Sequence, residues 1–378
     1  MAYIKRTIEQ EMLDSLKLGK VVLLYGARQT GKSTMLKQLF QSKETETVHL
    51  NGDLLDVREL FENPTPQKCL SIMGGKRTLI IDEAQRIDNI GLALKIFIDN
   101  VQDINIIATG SSSFELRNRT GEALTGRKVE YYLTPFSFGE LVNHTNTLEE
   151  KRCLEDRLIF GSYPAIVTDI ANRNRELASL TSSYLYKDIF ALSGLHKSEH
   201  LEKLVRALAF QIGSEVSYQE LSTLVGLDRK TVEKYIDLLE QSFVVFRLPS
   251  FSRNLRSEIK KSVKIYFWDT GIRNAVIGNV LPLSSRAPNE IGHLWENYII
   301  AERKKKLINE PFAPRSFFYR THSKQEIDYL EETPQGLTAY EIKWNSKKSS
   351  NATKAFLKAY PDACESIISR DNYAEFIM

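Results

Sequence analysis

Cysteine is scarce in this chain of 378 residues. Cys69, Cys153 and Cys364 stand far apart without paired spacing, which argues against a disulfide framework or a zinc site and suits a reducing cytoplasm. No apolar run approaches the ~20 residues that cross a bilayer. The opening "MAYIKRTIEQEML" lacks the apolar core of a secretion signal. An excess of one charge sign is also missing. The formal net charge is only +3, so no global field compels a nucleic-acid partner and any basic surface must be local. What remains is an ordinary globular composition, 42% hydrophobic and 26% charged, at a length that predicts two or three domains. A cytoplasmic protein with no membrane segment is expected.

The first third carries the clearest pattern. "KVVLLY" (20–25) is a short β-rich apolar run, "GARQTGKST" follows at once, and "MLKQLF" then places Leu36, Leu39 and Phe40 at helical spacing. Strand, glycine loop and helix together form the context of a phosphate-binding loop built from Gly26, Ala27, Arg28, Gln29, Thr30, Gly31, Lys32, Ser33 and Thr34. Gly26 and Gly31 let the backbone curl so that N–H groups face the phosphates, and the helix N-terminus adds its positive dipole end. Lys32 is expected on the β- and γ-phosphates and Ser33 as a magnesium ligand. "TLIIDEAQ" (78–85) supplies the second element. Its two carboxylates arrive at the C-terminal end of a buried strand, where Asp82 would hold Mg²⁺ and Glu83 would activate the attacking water. A base beside the metal favours ATP hydrolysis over mere binding. "INIIATGSSS" (104–113) reads as a third buried strand, with Ser111 at its ligand-facing end or serving as a helix N-cap. With "TVHLN" (47–51) and "VEYYL" (129–133), five strands alternating with helical stretches predict a parallel α/β sheet.

The middle has a different rhythm. Leu201, Leu204, Val205, Leu208 and Ala209 form a helical stripe. Ser217 and Glu220 predict a capping box on a short helix that ends at Gly226, and Asp228 predicts the next N-cap. The following helix carries Val232, Tyr235, Ile236 and Leu239 on its apolar face, and β-rich "FVVFRL" comes after it. This spells a winged helix-turn-helix, with Arg229, Lys230 and Lys234 able to meet DNA, or else a module that packs on protein. "SRNLRSEIKKSVK" (252–264), which includes Lys260 and Lys261, is either a phosphate track or a solvated face.

The last third combines an aromatic strand "KIYFWDTG", a helix "EIGHLWENYIIAERKKKL" with a stripe of Ile291, Leu294, Trp295, Tyr298 and Ile299, and a hairpin turning at "TPQG" (333–336). Strand alternation sets Glu341 and Lys343 on one face, with Asp328 on the neighbouring strand and Glu296 on the helix beside its stripe. A helix Glu, a hairpin Asp and a Glu-x-Lys strand resemble the PD-(D/E)XK nuclease pattern, in which Asp328 and Glu341 would bind Mg²⁺ and Lys343 would orient its water. The other reading of the same residues is a structural hairpin whose lysine neutralises both acids.

Across nearly the whole chain, "YIKRTIEQ", "GARQTGKST", "IDEAQ", "TGSSS", "LTGR", "YLTPFSFGEL", "GSYPAIV", "KIYFWDTGIRNA", "LWENYII" and "EIDYL…YEIKW" resemble the prokaryotic AAA-type ATP-binding proteins with a C-terminal domain of uncharacterised function. The resemblance implies an α/β chain in four parts. These are a P-loop AAA-type parallel-sheet domain at 1–135, a helical lid at 136–198, a winged helix-turn-helix at 199–250 and a restriction-endonuclease-like domain at 251–378. The residues predict ATP and Mg²⁺ as ligands and an ATPase activity coupled to DNA binding or processing, or else a nucleotide-dependent switch that binds a protein or DNA partner and keeps an inactive nuclease-like domain. The resemblance also implies a γ-phosphate sensor at Ser111, where such domains most often carry Asn. Arg127 would be an arginine finger reaching into a neighbouring copy, with Arg117 and Arg119 competing for that role.

Overall fold

A computed structural model describes residues 3–111, 116, 119–184, 198–252, 263–320, 326–345 and 351–378. The chain divides into two compact units, one of residues 1–134 with 241–243 and one of residues 135–240 with 244–378.

The first unit is a parallel sheet. Its strands are β1 (Val21–Tyr25), β2 (Thr47–Asn51), β3 (Thr78–Asp82), β4 (Asn105–Gly110) and β5 (Lys128–Tyr132), in the order β2-β3-β4-β1-β5. All five residues of β1 are buried, as expected of a central parallel strand covered on both faces. Val22 and Leu24 pack with Met12 and Leu16 of the helix Glu9–Leu16, with Met35 and Leu36 of the helix Lys32–Phe40, and with Tyr131. The parallel register pairs Tyr25 with Gly110 and with Tyr132, so the C-terminal ends of β1, β4 and β5 lie side by side. The loop after β1, Asp82 and Ser111 gather at that edge.

The second unit begins with short helices, among them Phe138–His144, Leu154–Phe160 and Arg173–Ser179. A longer helix, Ser198–Phe210, follows, and Leu201, Leu204, Val205, Leu208 and Ala209 are all buried on it. The helix Tyr218–Val225 ends on Gly226 in the left-handed region, at φ 71°, and Asp228 caps the helix Arg229–Gln241. Ser217 accepts a hydrogen bond from the Glu220 N–H. The reciprocal Glu220 bond of a full capping box is not found among the described residues, so only half of that motif forms. Strands β6 (Glu215–Val216), β7 (Val245–Pro249) and β8 (Val263–Phe267) close a small antiparallel sheet in the order β6-β8-β7. The basic run between β7 and β8, with Lys260 and Lys261, lies outside the described residues.

A four-stranded sheet follows, made of β9 (Arg315–Arg320), β10 (Glu326–Thr333), β11 (Gly336–Ile342) and β12 (Cys364–Ile368), in the order β12-β11-β10-β9. Its core joins Phe317, Ile327, Leu330 and Ala339 to Phe356 of the helix Asn351–Ala359. The helix Pro288–Leu307 departs from the expected one-sided stripe. Every residue from Leu294 to Glu302 is buried, so its polar members must find partners inside the protein. They do. Asn297 exchanges two hydrogen bonds of 2.9 Å with the backbone of Phe267. Glu302 accepts from the Phe138 N–H at 2.6 Å, and Lys305 donates to Glu302, to Ser162 Oγ and to the Phe136 carbonyl. The "GSYP" and "WDTG" segments interlock in the same way. Asp269 accepts from the Ser162 and Ile272 N–H groups, and a Cβ on Gly161 would stand 2.0 Å from Asp269 Oδ1.

Candidate functional site: a phosphate loop and a buried carboxylate cluster

β1 ends at Tyr25 and the chain turns into the loop 26–31. A Cβ on Gly26 would lie 2.2 Å from the Leu133 carbonyl oxygen, so only glycine lets the loop start this close to its neighbour. Gln29 and Gly31 take the left-handed conformation, at φ 59° and 95°, before the helix begins at Lys32. Gly31 itself adds no side-chain cap to the first turn. Lys32 is buried. Its ammonium donates to the carbonyls of Gly26 at 2.7 Å and Ala27 at 3.0 Å, so a cation sits inside the curl of the loop. The Thr30 hydroxyl donates to the Ala27 carbonyl and braces the curl.

β3 brings the acids to the same edge. Ser33 Oγ donates to Asp82 Oδ2 at 2.5 Å, and the Thr109 hydroxyl at the end of β4 donates to the other oxygen of Asp82. Glu83 adopts the left-handed region at φ 49°, ψ 42°, a strained setting for a non-glycine residue. Its Oε2 accepts from Gln85 Nε2 at 2.6 Å and from Ser111 Oγ at 3.1 Å. Ser111, expected to face the phosphates, is therefore bonded to the Glu83 carboxylate. Hard oxygen donors, Ser33 Oγ and Asp82, converge beside a lysine-filled glycine loop, and this donor set fits Mg²⁺ with a polyphosphate.

One arginine was missed, and another lies away from its own chain's loop. Arg6 is buried in the "YIKRTIEQ" segment and donates to the Thr30 carbonyl at 2.8 Å and the Thr134 carbonyl at 2.6 Å, so it ties the phosphate loop to the end of the first unit. A buried arginine so near the start has no local sequence signal, because these two acceptors are backbone atoms. Arg127 pairs with Asp99 at 2.9 Å and precedes Lys128, which is in register with Val21 at the opposite end of β1 from the loop. The structure thus does not bring Arg127 to its own chain's phosphate site. Arg119 pairs with Asp88, and Arg117 lies outside the described residues.

In the second unit ion pairs join Lys343 to Asp328 and Glu341, and the Glu296 charge lies near enough to act on Asp328. Asp328 lies at a β-bulge, where the register of β10 against β9 shifts between Ile327 and Leu330. Its Oδ2 accepts from the Ile342 N–H at 2.8 Å and lies 3.2 Å from the Lys343 ammonium. The same ammonium is 3.1 Å from Glu341 Oε2, while Thr353 donates to Glu341 Oε1. Lys343 thus stands between the two carboxylates. Sequence reasoning missed Lys264 and Tyr266. They project from β8 and donate to Glu296 Oε1 at 3.0 and 2.6 Å, and Lys264 also pairs with Glu326 at 2.5 Å. Their signal was faint: two polar groups, two residues apart, on one face of an otherwise apolar strand.

Electrostatics follow the burial. Burial and then the Glu296 charge push the Asp328 pKa up to about 7. Burial disfavours the Lys343 cation, but Asp328 and Glu341 outweigh it and push the amine up to about 12. Burial likewise opposes the Lys264 charge, and Glu296 and Glu326 hold its pKa above the ordinary lysine value. Among the described residues no group of three or more His, Cys, Asp or Glu is placed to hold a metal ion. With Lys343 between Asp328 and Glu341, a divalent ion does not fit there as the side chains stand.

Residues 18–142 match a family model described as an AAA domain. A Walker-type ATPase of Pyrococcus abyssi has a similar fold, with a TM-score of 0.51 at 13% identity, covering 72% of this chain and 96% of that one. The first unit holds a P-loop AAA-type domain. Beyond this AAA-type domain, residues 151–282 and 291–374 match two separate domains of unknown function. An uncharacterized protein of Mycobacterium tuberculosis is 26% identical over 351 residues, covering 91% of this chain and 75% of that protein. An uncharacterized protein of Haemophilus influenzae is 25% identical over 305 residues, covering 73% and 72% respectively. No helix among the described residues is long and apolar enough to cross a membrane.

Proposed function

We propose that the protein is a Mg²⁺-dependent ATPase whose AAA-type domain hydrolyses ATP and whose second unit binds DNA. The observation that carries the first half is the 2.5 Å approach of Ser33 Oγ to Asp82 beside the lysine-filled loop, with Glu83 held at the next strand end. Lys32 leaves the carbonyls of Gly26 and Ala27 for the β- and γ-phosphates, and the loop N–H groups bind the phosphate oxygens. Ser33 and Asp82 would hold Mg²⁺, which supplies charge neutralisation on the β- and γ-oxygens. Glu83 orients the attacking water and takes its proton. Arg127, at the far edge of its own sheet, would serve a neighbouring copy in a homo-oligomer. The cytoplasm is the expected compartment.

The helix-turn-helix with its small sheet supports the DNA half of the reading. On the helix Arg229–Gln241, Arg229, Lys230 and Lys234 are exposed while Val232, Tyr235, Ile236 and Leu239 are buried, the division a winged helix needs to present cations to phosphates. For the C-terminal sheet two functions compete. A PD-(D/E)XK-like nuclease needs a metal between Asp328 and Glu341. The position of Lys343 between them favours the second function, in which this sheet is a catalytically inactive binding module. Fluorescence anisotropy with duplex DNA, repeated across salt concentrations, tests the DNA reading. Binding that weakens steeply with salt supports it, and a slope near zero would point to a protein partner. Nicking of plasmid DNA in Mn²⁺ by the wild type but not by Asp328→Ala would restore the nuclease.

A further inference from the structure

Gln85 is 3% exposed and lies two residues beyond Glu83, past the point where a Walker-type pair of acids is complete. Its amide Nε2 donates to Glu83 Oε2 at 2.6 Å and to Ser111 Oγ at 3.1 Å. Ser111 Oγ in turn donates to the same Glu83 oxygen at 3.1 Å. The three side chains close a ring in which every proton has one direction: amide to hydroxyl, amide to carboxylate, hydroxyl to carboxylate. Only one orientation of the amide allows this. Turned over, its oxygen would face the carboxylate, a repulsion far worse than the buried Oε1 that is left without a partner among the described residues.

The surroundings are shaped to this arrangement. A Cβ on Gly110 would stand 3.0 Å from Gln85 Oε1, so the residue at the end of β4 has to be small for the amide to fit. The Gly110 carbonyl accepts from the Gly26 N–H at 3.2 Å, which sets the ring beside the start of the phosphate loop. The backbone of Glu83 is held as well, through a 3.4 Å bond from its N–H to Thr109 Oγ1, the hydroxyl that also donates to Asp82. Both donors act on Oε2, so among the described residues Oε1 is the oxygen that remains to receive a proton from water.

We infer that Gln85 is a positioning residue that, with Ser111, holds Glu83 by one oxygen so that the other faces the water attacking the γ-phosphate. This rests on the ATPase reading above and adds to it which groups aim the base. The Gln85 amide is engaged by Glu83 and Ser111, so its loss is expected to act on turnover and to leave nucleotide affinity alone.

The test uses the full-length protein with Mg²⁺ and ATP. Gln85→Leu keeps the volume and removes the donor. It is expected to lower kcat by about tenfold or more while ATP affinity and the thermal midpoint change little. Ser111→Ala, at a half-buried position, should lower kcat in the same sense. The double variant should fall little further than the worse single one, because both donors serve one oxygen. Gln85→Asn, which keeps an amide on a shorter arm, should recover part of the rate. An active wild type with Gln85→Leu within twofold of it would overturn the inference alone, as would strictly multiplicative losses in the double variant. A wild type with no turnover would remove the ATPase reading and this inference with it.

Discussion

Replacing Lys264 by Met perturbs the second unit at a fully buried charge. The Lys264 side chain has no solvent exposure, and its ammonium lies 3.0 Å from Glu296 and 2.5 Å from Glu326. Met fills nearly the same volume, so little of the loss comes from a cavity. What changes is that two carboxylates lose their cation. Removing one partner of a buried pair costs about 3–5 kcal/mol, because the remaining charge stays desolvated. Here the lower end applies. Glu296 keeps the Tyr266 hydroxyl at 2.6 Å, and Glu326, 26% exposed, keeps Arg320 at 3.8 Å and can turn toward water. A loss of about 3 kcal/mol is therefore expected. All three tryptophans, Trp268, Trp295 and Trp344, lie in the second unit, so intrinsic fluorescence during urea unfolding reports on that unit. Adding Glu296→Gln and Glu326→Gln to Lys264→Met should recover most of the loss, since no buried charge is then left unpaired. A single-variant loss below about 1 kcal/mol would refute the reasoning, because it would place Lys264 among weakly coupled surface pairs.

Asp328 should make the second unit sensitive to pH. Its folded pKa of about 7 lies above the ordinary 3.8, so the folded state binds the extra proton and its stabilising effect is lost as pH rises through about 7. Urea midpoints at about pH 5 and about pH 8 should differ more in the wild type than in Asp328→Asn, and equal differences would rule this out. Gly26→Ala should abolish ATP binding, because the new methyl meets the Leu133 carbonyl at 2.2 Å and the loop must shift; nucleotide anisotropy at normal affinity would contradict it.

Much of the first unit was legible because buried parallel strands read as unbroken apolar runs. "TVHLN" is β2 residue for residue, and β1 lies within one residue of "KVVLLY". The phosphate loop was legible because its chemistry is local: glycines, lysine and serine are contiguous. The Asp82–Thr109 and Glu83–Gln85–Ser111 contacts were not, since they depend on which strand ends the sheet sets side by side. In the second unit the heavily buried helix Pro288–Leu307 read as amphipathic because it carries Glu296, Asn297 and Glu302. Those polar residues meet internal partners from distant segments, and no period in the sequence encodes that. Lys264 and the β10 bulge escaped for the same reason. One depends on pairing of β8 with a distant helix and with β10 of another sheet, and the other on a register shift that leaves no mark in the alternation of "EIDYLEET".

The central claim is that Glu83 hydrolyses ATP held by Lys32, Ser33 and Asp82. Steady-state ATP turnover with Mg²⁺, measured beside equilibrium ATP binding for the wild type, Lys32→Ala and Glu83→Gln, tests it most directly. The wild type should turn over ATP, Lys32→Ala should lose tight binding, and Glu83→Gln should bind ATP normally with kcat reduced by about a hundredfold or more. Glu83→Gln hydrolysing at the wild-type rate, or losing affinity together with Lys32→Ala, would contradict the assignment of the base.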